Sequence, residues 1–288
     1  MLARLFRLVK WLSVALLVLV LALLAPVAWV ETVCRDQPVG EPHTPLMAEA
    51  RFHRAEANSY LTYPEWHIVY AYEGLANVLK TDDEHAFDYL GSVAGFWSSF
   101  CKLNRTAQRH GGGDGATRVT IHTIGVSFTL EMLAKAAYEE TLGRLFAALR
   151  GPQKTPQDDY ARRVAANYAD FLQQIPWYKY DFDTAARRLW LFPVIDPLRG
   201  WERRLALGAE WKVKAVYAKV IANAVSATTG PAQLRLRSVV TDIDAAGLSQ
   251  VDGVEIVGEA GQGILIETPR YRAFRTIARG IADAGGEF

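Results

Sequence analysis

Trp11 to Val30 reads WLSVALLVLVLALLAPVAWV, a run without a single charge. At about 1.5 Å per residue, a helix of that length covers about 30 Å, the hydrocarbon thickness of a bilayer. Arg4, Arg7 and Lys10 precede the run, and Glu31, Arg35 and Asp36 follow it. This bias predicts a basic cytoplasmic N-terminus over residues 1–10 and a single-pass anchor over 11–30, with the bulk of the chain extracytoplasmic. In a Gram-negative cell that compartment is the periplasm. A cleaved secretory signal competes with this reading, but its apolar core spans about 7–15 residues and ends in a small-x-small site. Trp29 interrupts the best small-residue stretch, Ala25-Pro26-Val27-Ala28. Glu31-Thr32-Val33 is not the lead that lipoprotein processing at Cys34 needs. Trp11 and Trp29 stand where indoles favour the headgroup region. The uncleaved anchor is the preferred reading.

The rest of the 288-residue chain is long enough for one large domain or two small ones. Half of its residues are hydrophobic, which predicts a packed core rather than disorder. The formal net charge is +1, without the basic excess that a nucleic-acid surface shows, so no nucleic-acid partner is expected. Two cysteines, Cys34 and Cys101, would meet an oxidising compartment if exported. A bridge between them and two unrelated buried thiols are both compatible with the sequence.

Composition and periodicity divide the chain beyond the anchor. Residues 31–58, with Pro38, Pro42 and Pro45, read as an extended linker. Residues 59–230 carry helical periodicity and read as an α-helical body. Its helices start at Tyr63-Pro64-Glu65, at the capping box Thr81-Asp82-Asp83-Glu84, at Thr155-Pro156-Gln157-Asp158 and at Asp196-Pro197. Val119–Thr123 alternates like a strand, yet Ile121, Ile124, Phe128 and Met132 fit a helix, which is favoured from Ser127 to Arg150. From residue 231 to 288 the period changes to two. Leu234–Val240 reads as a strand, Val254–Gly258 and Ile264–Glu267 as a hairpin, and Thr268-Pro269 as the start of a helix. That order predicts a small α+β, ferredoxin-like (split βαβ) C-terminal unit. Its last strand would begin near Phe288, so the chain is expected to be truncated there or to lack that edge strand.

Candidate chemistry is sparse. Tyr63, His67 and Tyr70 share a helix face and form the weak cofactor-binding candidate, while Glu65 lies on the opposite face from His67. Asp82, His85 and Asp88 are spaced three apart, but the capping box explains their acidity, and the paired Glu-x-x-His motifs of a di-iron bundle are missing. His110-Gly-Gly-Gly is like the oxyanion loop of some esterases, but the near-elbow Gly125-Val-Ser-Phe-Thr129 has Thr129 where a nucleophile elbow needs its second glycine, and no α/β sheet can be read around it. No His-x-x-x-His or Cys-x-x-Cys pair occurs, so neither a metal nor another cofactor is expected.

Trp177, Tyr178, Tyr180, Trp190 and Trp201 interleave with Lys179, Arg187, Arg188 and Arg199. Amphipathic rings beside basic side chains suit a membrane interface, and they equally suit packing between helices. Together these features favour a membrane-anchored envelope protein that binds lipid or a protein partner. The alternatives are a tethered enzyme using His67 or His122, and a haem or metal carrier using His67 and nearby Tyr and Glu residues.

Overall fold

A computed structural model describes residues 2–37, 64–109, 115–229, 235–269 and 272–288. Ten helices and a small sheet succeed one another among these residues. They are α1 (Leu2–Val33), α2 (Pro64–Val78), α3 (Tyr89–Arg109), α4 (Gly115–Tyr138), α5 (Arg144–Arg150), α6 (Pro156–Leu172), α7 (Phe182–Leu189), α8 (Pro197–Thr229), β1 (Arg235–Val240), α9 (Ala245–Leu248), β2 (Glu255–Ala260), β3 (Gly263–Pro269) and α10 (Arg272–Asp283). The fold is mostly helical, with a three-stranded antiparallel sheet near the C-terminus. Within α1, Val9–Val33 is the one stretch among the described residues long and apolar enough to cross a membrane. The chain divides into two compact units, with boundaries after Ala71, Glu84 and Gly143.

In the first unit, α3 and α4 pack through aromatic rings. Phe96, Trp97 and Phe100 from α3 meet Phe128 and His122 from α4. Gly125 allows this approach, because a Cβ there would stand 2.4 Å from the Phe96 ring. The indole of Trp97 donates to Thr129 Oγ1 at 2.8 Å, so its N–H is satisfied inside the core. The end of α1 has carbonyls without intrahelical partners. Arg105 donates to the Val33 carbonyl at 3.0 Å and Asn104 to that of Cys34 at 2.9 Å. Cys34 and Cys101 are bridged, with Cα atoms 5.0 Å apart. Arg109 pairs with Asp36 at 2.6 Å. Residues 31–37, the first part of the segment assigned to a linker, are therefore held against α3; residues 38–58 lie outside the described residues. The strand-or-helix ambiguity at Val119–Thr123 resolves as helix, in an α4 that begins at Gly115.

In the second unit, Thr155 caps α6 with a reciprocal capping box to Asp158, and Asp181 caps α7 through the Thr184 N–H. The Asp196 carboxylate accepts from the Arg199 N–H at 3.0 Å, opening α8. The Lys214 ammonium lies over the rings of Tyr72, Tyr168 and Phe182, 5.1–5.5 Å from their centroids, and pairs with Glu210. The Thr81–Glu84 box does not open a helix. Glu84–Ala86 is a single 3₁₀ turn, and α3 starts beyond Asp88, whose carboxylate accepts from the Gly91 N–H. The reason is that Asp83 and Glu84 turn to arginines far along the chain, and those charged hydrogen bonds outweigh a cap.

The sheet order is β1-β3-β2, with β3 antiparallel to both neighbours. Gly261, at φ 62°, makes the tight turn between β2 and β3. Val240, Leu248, Ile266, Ile277 and Ile281 form a small separate core. Thr241 pairs with Glu287 in one isolated antiparallel bridge. The connection from β1 to β2 contains only the four-residue α9.

Candidate functional site

The interface candidates separate into two groups. Tyr180 is half-buried in an aromatic cluster: its ring packs on Tyr168, Phe171 and Phe182, its hydroxyl donates to Asn167, and burial pushes its phenol up to about 12. Trp177 is half-buried against Tyr217, with centroids 5.4 Å apart, and Tyr178 is half-buried beside it. Lys179, Arg187, Arg188 and Trp190 are exposed. Arg187 pairs with Asp183. Arg199, grouped by sequence with the basic residues of an interface, is instead 1 % exposed.

Around Trp190 the surface is apolar. Leu191 is 81 % exposed, Ile195 73 %, and Leu198, Trp201 and Leu205 continue the patch onto α8. The Arg204 guanidinium stands over both indoles, 5.5 Å from Trp190 and 5.1 Å from Trp201, and donates to the Trp190 carbonyl. It braces two large rings that water would otherwise surround. At 100° per residue, Leu198, Trp201, Leu205, Val213, Val216 and Val220 fall within an arc of about 120° on α8. All six are exposed. Soluble surfaces scatter such residues singly, whereas a continuous stripe marks a contact site. The sequence conceals this stripe because α8 is apolar on its opposite face as well, where Leu207, Trp211, Ala215 and Ala218 are buried.

Behind this surface lies a buried charge network. Arg199 donates from Nε to Asp158 Oδ1 at 2.9 Å, from Nη1 to Glu202 Oε2 at 3.0 Å and from Nη2 to Glu84 Oε2 at 3.3 Å. Arg203 joins Glu202 and Glu84. Arg150 makes a fork to Asp83 and reaches Asp158, while Lys154 completes the pairing at Asp83. Arg150, Lys154, Arg199 and Arg203 thus balance Asp83, Glu84, Asp158 and Glu202. Burial alone would raise the Asp83 carboxyl, but hydrogen bonds from Arg150 and Lys154 hold it well below the usual carboxylate range. Asp158 is lowered similarly: the Arg199 charge and the Thr155 hydrogen bonds overcome its burial. Since every guanidinium here faces carboxylates, the network positions α6 and α8 rather than holding an anion.

The remaining candidates do not assemble into a catalytic set. Tyr63 lies outside the described residues. His67 is half-buried beside Gly95 and edge-on to Tyr70, with centroids 6.3 Å apart. Burial, with Lys102 nearby, lowers its imidazole below the ordinary value, so the ring is neutral at pH 7. Tyr70 packs on Trp66 as well and is exposed. His122 bonds Glu31 at 2.8 Å at the end of α1. Asp88 is occupied as the cap of α3. Among the described residues no group of three His, Cys, Asp or Glu side chains could hold a metal ion. No protein-family model, curated protein or solved structure matches the chain.

Proposed function

We propose that the chain is a membrane-anchored extracytoplasmic protein that works by binding at the lipid surface rather than by catalysis. In this reading α1 spans the bilayer with its N-terminus in the cytoplasm, and the apolar surface from Trp190 to Leu205 rests on the same membrane. The observation that carries it is the exposure of Trp190, Leu191, Ile195, Leu198, Trp201 and Leu205 together, with Arg204 bracing the two indoles. Each such side chain moved out of water contributes about 1–3 kcal/mol. A tether raises the local concentration of membrane, so this contact needs no large interface. The Cys34–Cys101 bridge suits an oxidising compartment. The C-terminal sheet is read as a ferredoxin-like unit, supported by its strand order and by the Thr241–Glu287 bridge on the outer side of β1.

The test is tryptophan quenching by brominated phospholipids, using the full-length protein in nanodiscs. Wild type should lose more emission than the Trp190→Phe/Trp201→Phe variant, because those two indoles sit at the acyl boundary. Equal fractional quenching of the two would defeat the bilayer reading and turn the surface into a site for a protein partner.

A further inference from the structure

The edge of the α8 stripe carries a distinct chemistry. Lys212 and Lys219 fall within the same arc of α8 as Val213, Val216 and Val220, and both are exposed. Lys212 pairs with Asp183 of α7, whose other partner is Arg187. Lys219 lies within electrostatic reach of that carboxylate. Asp181 is the second carboxylate within reach of Arg187 and Asp183, so three cations face two carboxylates and the edge keeps a net positive charge. On the opposite edge the Trp177 ring packs at a tilt against Tyr217. Lysines on one border, aromatic rings on the other and valines between them are the layout of a helix lying in the headgroup plane.

We propose that this half of α8 is an anionic-phospholipid site, with Lys212, Lys219 and Arg187 taking lipid phosphates while Val213, Val216 and Val220 enter the acyl boundary. The inference rests on the bilayer-contact reading of the Trp190–Leu205 surface and names the lipid class it selects. A second copy of the chain is a poorer occupant, because in an antiparallel twofold contact the positive edge would face itself, and in a parallel one it would meet aromatic rings that carry no carboxylate. An anionic headgroup matches it in sign.

The experiment uses the full-length protein, one chain per nanodisc, in zwitterionic phosphatidylcholine or in a mixture with phosphatidylglycerol. Acylation of each lysine by an uncharged reagent is read by mass spectrometry and normalised to a soluble lysine peptide. Lys212 and Lys219 should each react about fivefold more slowly in the anionic discs, and high salt should remove the difference. The Lys212→Gln/Lys219→Gln variant should keep its tryptophan quenching but lose the dependence of that quenching on lipid charge. Equal lysine rates in both lipids, with quenching of Trp190 and Trp201 retained, would overturn headgroup selection and leave the bilayer contact standing. Equal rates without quenching would overturn both. Protection seen only in discs holding two chains would overturn the proposal in favour of self-association.

Discussion

Replacing Arg199 with methionine tests the buried charge network most directly. The substitution keeps the length of the side chain and its apolar stem but removes hydrogen bonds to Asp158, Glu202 and Glu84. Three bonds to charged groups, at about 1.5–3 kcal/mol each, set an upper range of about 4.5–9 kcal/mol. The loss is smaller because each carboxylate keeps a second cation: Arg150 for Asp158, and Arg203 for Glu84 and Glu202. Breaking a buried pair on one side costs about 3–5 kcal/mol. For a unit of this size that lowers the thermal midpoint by about 6–20 °C at pH 7. The assay is thermal unfolding of the full-length protein followed by far-ultraviolet circular dichroism. The pH dependence has a defined sign. Asp83 and Asp158 titrate lower in the folded chain than in the unfolded one, where the reference is 3.8. Their stabilisation is therefore present above about pH 4 and lost as pH falls through the folded values. The gap between wild type and Arg199→Met should be widest at neutral pH and narrow below about pH 4. A midpoint shift of no more than about 2 °C at pH 7, against the 6–20 °C expected, would refute the argument that these charges are desolvated and mutually dependent.

Three further outcomes are expected. The purified chain should titrate no free thiol before reduction, and Cys101→Ser should lower the stability of the α1–α3–α4 unit by about 2–4 kcal/mol, read by chemical denaturation. Two titratable thiols in the unreduced protein would remove the bridge from the account. Gly125→Leu should destabilise by at least about 1–3 kcal/mol, because its Cβ alone would approach the Phe96 ring to 2.4 Å; an unchanged denaturation midpoint would contradict the close packing of α3 on α4. In an alkaline difference-absorbance titration, Tyr180 should ionise near pH 12, later than an ordinary tyrosine, and Tyr180→Phe should delete that late component. A titration unchanged by the substitution would place the ring in water.

The local features of this fold were legible because they depend on residues within a few positions of each other. The uncharged run Trp11–Val30 announces a long apolar helix, Thr155 and Asp158 write a capping box, and the change to a period of two marks the sheet. Helix starts and strand alternation are short-range physics, so a single chain displays them. The Thr81–Glu84 box shows where that legibility ends. Its local signal is sound, but Asp83 and Glu84 pair with Arg150 and Arg199, 67 and 115 residues away, and the stronger bonds win. Arg199 and Arg187 look alike in sequence, yet tertiary packing enclosed the first among carboxylates and left the second in solvent. The α8 surface was hidden for a related reason. A helix apolar on two faces gives no periodic sign of which face is covered, and only the packing of α7 and of the Trp177 turn left Leu198 to Val220 open. Residue order thus dictated where most helices and strands begin and made one N-terminal segment apolar enough to span a bilayer. Which charges were buried, which cysteines met and which apolar face stayed exposed came from packing, because desolvation and pairing depend on neighbours that chain order does not bring together.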